Sequence, residues 1–306
     1  MKKLTLEAAA KDEGQRLDRF VAARGGLTRG EARKLLDRGA VWVNNQRVKI
    51  ASRPVHEGQQ VLVVIEEGGR TVPATQALGP ERILFEDGQL IAVDKPVGVP
   101  AQATLASDRG DLVALVSAHV GREVGLVHRL DLETSGVTVF AKTKPATTAL
   151  AAAFREGTAH KRYLAVAVGP LPAEGRCELA ISPDGRRWGK FRALPAGKVP
   201  AATRYKVLAR FGDACAVEVF PETGRTHQIR VHLKALGAPI AGDDLYGGPK
   251  EIDTRAGRIA APRVMLHARS LEIPHPATGA VMKFEAPIPD DLRAMLEAVG
   301  VEAGVL

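Results

Sequence analysis

Cysteine is scarce in this chain, and the two cysteines that occur are far apart. Cys177 and Cys215 each stand alone, without a Cys-x-x-Cys neighbour. Disulfide-stapled domains and structural zinc sites need several cysteines or histidines at short spacings, so we expect two reduced thiols and no bound metal. We expect no other cofactor, because a Gly-rich dinucleotide fingerprint and a phosphate-binding loop are both missing.

Aromatic residues and long apolar runs are also few. With 8 Phe, 3 Tyr and 2 Trp among 306 residues, the core must be built mainly from Ala, Val, Leu and Ile. No segment approaches the ~18 uninterrupted apolar residues that span a bilayer, and the opening MKKLTLEAAAKDEG lacks the apolar stretch of a secretory signal. These absences predict a cytoplasmic protein without a membrane partner.

Positive charge is concentrated near the N-terminus. Residues 1 to 64 contain 13 Lys and Arg against 7 Asp and Glu, whereas the remainder contains 30 against 28. The chain is long enough for one large domain and a small one, and its 45% hydrophobic content is ordinary for a globular protein. A small basic module attached to a nearly neutral domain is typical of proteins that bind a polyanion.

Helix and hairpin signals follow one another in this basic part. The segment Leu17–Val21 has apolar residues at helical spacing, and after Gly25-Gly26 the run Thr28-Arg29-Gly30-Glu31 forms a capping box that opens a second helix. Valines on either side of Asn44-Asn45 predict a β-hairpin, and Val61–Ile65 predicts a further strand. The sequence therefore predicts two helices followed by a hairpin and a strand.

The second of these helices has a basic face. Its apolar residues can face the core, whereas Arg29, Arg33 and Lys34 lie on another side. Two helices and a hairpin, with arginines on the second helix, resemble the alpha-L RNA-binding domain. The resemblance implies that these three residues contact RNA phosphates, and an ordinary solvated helix face is the alternative.

The run HRLDLETSG, residues 128 to 136, collects polar groups just ahead of a predicted strand. His128, Arg129 and Asp131 are donors and an acceptor on an irregular connection, and residues 137 to 142 alternate like a strand. Loops held by a strand are frequent functional sites, because the scaffold fixes the position while the loop stays accessible. From residue types alone, a surface salt bridge between Arg129 and Asp131 is the other interpretation.

This run is similar to the HRLD-x-x-TSG signature of the RluA-type pseudouridine synthases, which isomerise uridine in ribosomal or transfer RNA. Three more blocks resemble those of the family in the same order: ILFEDGQLIAVDKPVGVPAQAT from residue 83, KRYLAVAVG from residue 161, and TGRTHQIRVHLKALGAPIAGDDLYG from residue 223. The resemblance covers roughly residues 80 to 290. It implies an α+β pseudouridine synthase fold with a central, largely antiparallel mixed sheet, joined to the small alpha-L domain.

We divide the chain into three parts on these grounds. The alpha-L domain is expected over residues 14–66, a linker over residues 67–80 and the catalytic domain over residues 81–295. The linker stretch is rich in Gly, Pro, Thr and Ala and shows no periodicity. The resemblance favours large-subunit (23S) ribosomal RNA as the partner, with transfer RNA as the alternative, and we expect a monomer.

The resemblance also assigns three catalytic residues. Asp131 is the essential carboxylate, Arg230 is the arginine that pairs with it, and Tyr163 lies against the target base and helps to remove a proton. Whether Asp131 attacks the base, attacks the sugar or removes a sugar proton stays open, and packing in the core is the alternative for Tyr163. The isomerisation needs an ionised carboxylate and a pocket that retains the free uracil.

Residues around these three are expected to bind the substrate. The set consists of His128, Arg129, Thr134, Arg225, His227 and Ile229. The family implies that Arg129 enters the RNA beside a flipped-out nucleotide, because a stacked uridine cannot reach a buried carboxylate. For Arg225 and His227, support of their own loop is the alternative.

A helix is predicted close to this arginine pair. Thr226 would cap it, the helix would run over about residues 227 to 236, and Gly237 would close it. Arg230 would then lie near the first turn. The apolar residues of the predicted helix would face inward.

Three functions are compatible with these patterns. The leading one is an RNA-uridine isomerase. The second, a binding protein with the same fold but without the reaction, is disfavoured by the intact Asp131, Tyr163 and Arg230. The third, metal-dependent RNA hydrolysis, would need a carboxylate or histidine constellation that these motifs do not provide.

Replacing Arg29 and Arg33 together by Ala is expected to weaken binding to a ribosomal RNA transcript and to make it less sensitive to salt. Fewer phosphate counterions would be released, so the slope of log K against log salt concentration should fall by roughly 1 to 2. Filter binding over a salt series measures this slope. An unchanged slope would remove the two arginines from the interface.

Overall fold

The structure is a computed structural model that describes residues 2–65, 78–107, 110–185, 189–197, 199–254 and 257–302. The chain forms two compact units. Met1–Ala77 and Pro100–His119 belong to the first unit, and Leu78–Val99 and Val120–Leu306 belong to the second. Residues 67 to 77 of the predicted linker lie outside the described residues.

The first unit combines a small antiparallel sheet with helices. Its elements are β1 (Lys2–Glu7), α1 (Leu17–Gly25), α2 (Arg29–Asp37), β2 (Val41–Val43), β3 (Gln46–Arg47), β4 (Gln60–Ile65) and α3 (Leu112–Val120), the last residue of α3 falling in the second unit. The strand order is β1-β4-β2-β3. The sequence analysis did not predict β1, in which the only apolar residues, Leu4 and Leu6, are half-buried and the other four residues are exposed.

The predicted helices and hairpin are present in this unit. The Thr28 hydroxyl accepts from the Glu31 amide at 3.2 Å, and the Glu31 carboxylate accepts from the Thr28 amide at 2.7 Å. Asn44 and Asn45 turn the hairpin with φ of 48° and 64°, the left-handed conformation that a tight two-residue turn requires. Apolar side chains of α1, α2 and the strands close a single core.

The second unit is built on a large sheet. Its elements are β5 (Ile83–Glu86), β6 (Leu90–Lys95), β7 (Gly125–Leu126), β8 (Ser135–Ala141), α4 (Lys144–Glu156), β9 (His160–Val168), β10 (Glu174–Cys177), β11 (Ala180–Pro183), β12 (Phe191–Leu194), β13 (Thr203–Phe211), β14 (Ala214–Pro221), α5 (Gln228–Ala235), β15 (Glu251–Thr254), β16 (Gly257–Ala260), β17 (Leu266–Pro274), β18 (Val281–Glu285) and α6 (Asp290–Val299). The order is β10-β13-β14-β9-β17-β8-β6-β5, with β18 on β17 and β7 on β8.

The sheet is mixed but largely antiparallel, as predicted. Among the described strands of this sheet, only β8 and β17 pair in parallel. Helix α4 packs on one face through Leu150 and Ala146, and α6 packs on the other through Leu292 and Leu296. The α+β class is therefore confirmed.

The strand that follows the HRLDLETSG run is covered on both faces. Val137 and Val139 pack in the cluster that contains α4, and Thr138 and Phe140 on the opposite face are also inaccessible to solvent. A strand buried in this way cannot shift without exposing apolar surface. The C-terminal end of the loop of residues 128 to 134 is therefore attached to a rigid strand.

Gly136, which closes the TSG letters of the signature, allows β17 to approach β8. Its φ is 114°, and a Cβ at this position would lie 2.2 Å from the backbone oxygen of Ala268. Neither the conformation nor the clash can be relieved by moving a flexible side chain. The glycine is therefore required by the backbone contact between the two parallel strands.

Gly136→Ala is expected to lower the free energy of unfolding by about 3 kcal/mol, because it adds backbone strain and pushes the two strands apart. Urea denaturation followed by circular dichroism measures the change. Gly88→Ala is the matched control, since no atom lies within 4 Å of the added Cβ and its φ is not left-handed. Equal stability of the two variants would contradict this account of Gly136.

Candidate active site

A cleft of about 530 Å³ lies in the second unit. Its walls come from the loop before β8, the start of β9, and the connection from β14 into α5. Every catalytic and substrate-binding residue predicted for this domain lines it: His128, Arg129, Asp131, Thr134, Tyr163, Arg225, His227, Ile229 and Arg230. The fold thus brings together three separate sequence blocks, and a cleft of this size can hold a small ligand.

Arg230 is the central charged group of the cleft. Its Nη1 donates to Asp131 Oδ2 at 3.2 Å, while Nε and Nη2 donate to the two oxygens of Asp243 at 2.7 and 2.8 Å. The guanidinium carbon also lies 5.0 Å from the centre of the Tyr246 ring. One planar cation therefore joins two carboxylates, with the bidentate contact reserved for Asp243.

The charge state of this group follows from its partners. Burial alone would lower the pKa of Arg230, but the hydrogen bonds to Asp243 and the charges of both carboxylates raise it instead. Only 8% of the Arg230 side chain and none of Asp243 is exposed, compared with 25% of Asp131. The cation is fixed in the wall, and the Asp131 carboxylate faces the cleft.

Asp243 is a residue that the sequence analysis missed. It lies in the GDDLYG letters of the fourth block, so a signal was present, but Asp244 beside it offered the same side chain. The structure separates them, because Asp244 is 69% exposed and pairs with Lys250. Only three-dimensional placement shows which carboxylate supports Arg230.

Arg129 contacts a different partner from the one that residue types suggested. Its Nη2 donates to the Thr226 hydroxyl at 3.1 Å, and the guanidinium that pairs with Asp131 belongs to Arg230. The alternative of an Arg129–Asp131 salt bridge is therefore wrong. Arg129 instead links the loop of residues 128 to 134 to the loop before α5.

Tyr163 projects from β9 into both the cleft and the core. Its side chain is buried with the main apolar cluster, so core packing and cleft contact apply together. Burial and, to a smaller extent, the charge of Asp131 raise the pKa of Tyr163. At neutral pH it presents an uncharged phenol ring, which suits contact with a planar base.

His128 holds the signature loop on the sheet. Its Nε2 accepts from the Val139 amide at 2.9 Å, and its ring stacks on Phe154 at 4.5 Å between centroids. Burial, followed by the charge of Lys161, lowers the pKa of His128 to about 3. The imidazole of His128 is therefore neutral and accepts a hydrogen bond here. Further along the same loop, the Thr134 amide donates to the Asp131 backbone oxygen at 3.1 Å and forms a turn.

The predicted cap of α5 is wrong. The helix runs over Gln228–Ala235, and the residue at its N-terminal boundary is His227, with a φ of 56°. Thr226 makes no cap because its hydroxyl accepts from Arg129. The left-handed backbone turns the His227 ring so that Nδ1 lies 2.8 Å from the Tyr246 hydroxyl and Nε2 lies 4.0 Å from Asp131.

Lys95 is a second group that the sequence analysis missed. It is fully buried, and its Nζ donates to the backbone oxygens of Pro96 at 3.0 Å and Leu132 at 3.3 Å. Burial lowers the pKa of Lys95 to about 7, although the charge of Asp131 acts in the opposite direction. The side chain ties the DKPVG letters to the loop that carries Asp131.

The predicted basic face of the first unit is organised by one carboxylate. Asp18 is fully buried and accepts from Nε of Arg29 at 3.1 Å, Arg33 at 3.0 Å and Arg16 at 3.1 Å. Burial would raise the pKa of Asp18, but the hydrogen bonds from the arginines lower it strongly. The side chains of Arg29 and Arg33 stay 44% and 54% exposed, and Lys34 follows on the same helix.

Comparison with known proteins connects these sites to a family. Residues 89–235 match the family described as RNA pseudouridylate synthase, and residues 15–61 match the S4 domain. Ribosomal large subunit pseudouridine synthase D of Neisseria meningitidis serogroup A is 38% identical over 279 residues, which cover 87% of this chain and 74% of that protein. The enzyme of the same name from Pseudomonas aeruginosa is 35% identical over 300 residues, covering 92% and 91%.

A solved structure gives the same result. The human RNA pseudouridylate synthase domain containing 4 superposes with a TM-score of 0.56 at 26% identity, covering 72% of this chain and 93% of that one. The chain is an RNA pseudouridine synthase by fold and by sequence. It belongs to the RluA-type family and carries an N-terminal S4 domain, the domain that the sequence analysis called alpha-L.

Asp243→Asn is expected to lower the kcat of pseudouridine formation by roughly 100-fold and to change KM little, because Arg230 would lose the charge that orients it toward Asp131. Time courses on a large-subunit ribosomal RNA transcript measure both constants. Asp244→Asn removes the same charge one residue later and should stay within twofold of wild type. Wild-type kcat in folded Asp243→Asn protein would contradict the positioning role of this carboxylate.

Proposed function

We propose that this protein converts specific uridines to pseudouridine in large-subunit (23S) ribosomal RNA. The observation that carries the proposal is the Asp131–Arg230–Asp243 arrangement, in which an accessible carboxylate is held against a buried guanidinium at the cleft wall. The names of the similar bacterial enzymes support the ribosomal substrate. Transfer RNA is the alternative substrate.

The chemistry needs little beyond these groups. The bond from sugar to base nitrogen breaks, the uracil turns within the cleft, and a new bond forms to a ring carbon, so no electrons enter or leave. Asp131 supplies the carboxylate that acts on the nucleotide, and Arg230 holds it at the cleft wall through a hydrogen bond of 3.2 Å. Because the cation is already in place before substrate arrives, the charge requires no reorganisation during the reaction.

The detached uracil has to stay in the cleft while it turns. Tyr163 and Ile229 present apolar surface there, and both are more than nine-tenths buried. Contact with the Tyr163 ring would hold the base in plane and limit its escape. Participation of the Tyr163 hydroxyl in removing the proton from the new attachment carbon is part of the proposal.

The rim residues are proposed to shape the RNA. Arg129 is bound to the opposite loop by one hydrogen bond to Thr226, which it can exchange for a place in the RNA beside the everted nucleotide. His227 and Arg225 contact the substrate from the loop before α5. His128 and Thr134 act by holding the Asp131 loop in position.

The N-terminal domain is proposed to add affinity for structured RNA. The exposed face formed by Arg29, Arg33 and Lys34 would contact phosphates, with Asp18 keeping two of these arginines extended toward the RNA. We retain residues 14–66 and 81–295 as the proposed domains. The proposal also includes a monomer that acts in the cytoplasm. Among the residues that the structure describes, no helix is long and apolar enough to cross a membrane.

Asp131→Asn is expected to reduce pseudouridine formation by at least about 1000-fold, because the amide cannot act as a nucleophile or a base. Purified protein is incubated with a large-subunit ribosomal RNA transcript without added cofactor or metal, and pseudouridines are mapped by chemical labelling. Asp213→Asn, on an exposed turn, serves as the control with wild-type activity. Equal labelling by wild type and Asp131→Asn would end the catalytic assignment.

A transfer RNA transcript is included as a second substrate arm. Labelling confined to transfer RNA would overturn the ribosomal assignment and leave the isomerase chemistry intact. No labelling of either RNA by wild-type protein would overturn both.

A further inference from the structure

Lys161 places a half-buried amine in the wall of the cleft. It lies on β9 two residues before Tyr163, so both side chains leave the same face of the strand. Its Nζ donates to the backbone oxygen of Thr223 at 3.0 Å, and within the described part of the chain no carboxylate pairs with it. An anionic partner would stabilise this amine, because the part of the side chain that is covered has lost its hydration.

A second cation, Arg225, lines the same cleft. Arg225 is held in the loop before α5, where its amide donates to Gln228 Oε1 at 3.0 Å and its Nε donates to the Pro200 backbone oxygen at 3.1 Å. Burial and then the positive charge of Arg225 lower the pKa of Lys161 to about 8. The two cations repel each other, and an anion between them would remove this repulsion.

The carboxylates that line the cleft are already engaged elsewhere. Asp131 pairs with Arg230. Glu222 accepts from Arg176 at 2.8 Å and from Arg204 at 2.9 Å. The wall around Lys161 therefore keeps a surplus of positive charge.

Gly224 leaves space in front of the amine. A Cβ at this position would have Lys161 Nζ, at 3.7 Å, as its only neighbour within 4 Å. Any larger side chain at position 224 would extend into the space that the ammonium faces. An incoming ligand can therefore reach Lys161 from the cleft.

We propose that Lys161, together with Arg225, binds a phosphodiester of the RNA strand next to the target uridine. The inference rests on the proposed function, since it supplies the reason for an anion in this cleft. A phosphodiester carries one negative charge and two free oxygens, which match a point cation on one side and a guanidinium on the other. Such a contact would fix the sugar–phosphate backbone and leave the base to enter toward Tyr163 and Asp131.

Kinetics of three variants test this subsite. With the large-subunit ribosomal RNA transcript, Lys161→Met is expected to raise KM at least tenfold and to change kcat less than threefold, while Lys161→Arg keeps KM within threefold of wild type. Lys206→Met removes one positive charge from an exposed position on β13 and should leave both constants unchanged. Thermal unfolding of each variant shows whether the fold is intact.

Binding of mononucleotides tests the anion directly. Uridine 5′-monophosphate and uridine 3′-monophosphate are compared with uridine by NMR titration of the wild-type protein at pH 7. At least one monophosphate should bind fivefold or more tightly than uridine, and the better of the two identifies the side of the nucleotide on which the phosphate lies. This preference should disappear in Lys161→Met and persist in Lys206→Met.

The pH dependence separates Lys161 from its neighbours. The positive charge of Arg225 acts on Lys161, and the nearby His128 ring is neutral because burial lowers its pKa to about 3. The ammonium is present below its pKa of about 8 and is lost above it, so the preference for the monophosphate should decline between pH 7 and 9. Lys161→Arg should abolish this decline.

The outcomes distinguish this inference from the proposed function. Wild-type protein that forms pseudouridine but binds both monophosphates no better than uridine would overturn the phosphate subsite alone. Identical KM values for Lys161→Met and Lys206→Met would do the same. A monophosphate preference that depends on Lys161, in protein that modifies no RNA, would support the subsite and reject the proposed function.

Discussion

A single guanidinium, that of Arg230, donates hydrogen bonds to two carboxylates at once. The organisation of the cleft depends on how these hydrogen bonds are shared between Asp243 and Asp131. Asp243 is fully buried and takes two of its hydrogen bonds, whereas Asp131 takes one from the accessible side. A guanidinium and a carboxylate that are both buried, as Arg230 and Asp243 are, are tolerated only with good geometry, because each has lost its hydration. Asp243 thus fixes the cation, and the cation fixes the Asp131 carboxylate.

The scaffold around this arrangement is rigid where the chemistry requires it. The loop that carries Asp131 is tied to the sheet by His128, which accepts from the Val139 amide, and to the interior by Lys95, which donates to the Leu132 backbone oxygen. Its other end enters β8 at Gly136, where β17 leaves no room for a side chain. By contrast, Arg129 at the rim is held by a single exposed hydrogen bond to Thr226.

The sequence predicted the structure correctly where the patterns are local, and it predicted the residues of the cleft where four blocks resemble those of a family. The capping box at Thr28 and the Asn44-Asn45 turn followed from short spacings, and the cleft residues followed from the resemblance. The cap of α5 was wrong because the tertiary contacts of His227 determine how that helix begins. Asp243 and Asp18 were missed because their roles depend on arginines that come near only when the chain folds. The periodicity of the sequence does not indicate such contacts.

The grouping of Pro100–His119 with the first 77 residues has a consequence for how such a protein can be rearranged. The Trp42 indole donates to the Leu105 backbone oxygen at 3.0 Å, and the Arg47 guanidinium lies over the Trp42 ring. A gene fusion that moved only the N-terminal segment would leave behind Leu105, which accepts the hydrogen bond of Trp42. Recombination that keeps these contacts would have to exchange two separated stretches of the chain together.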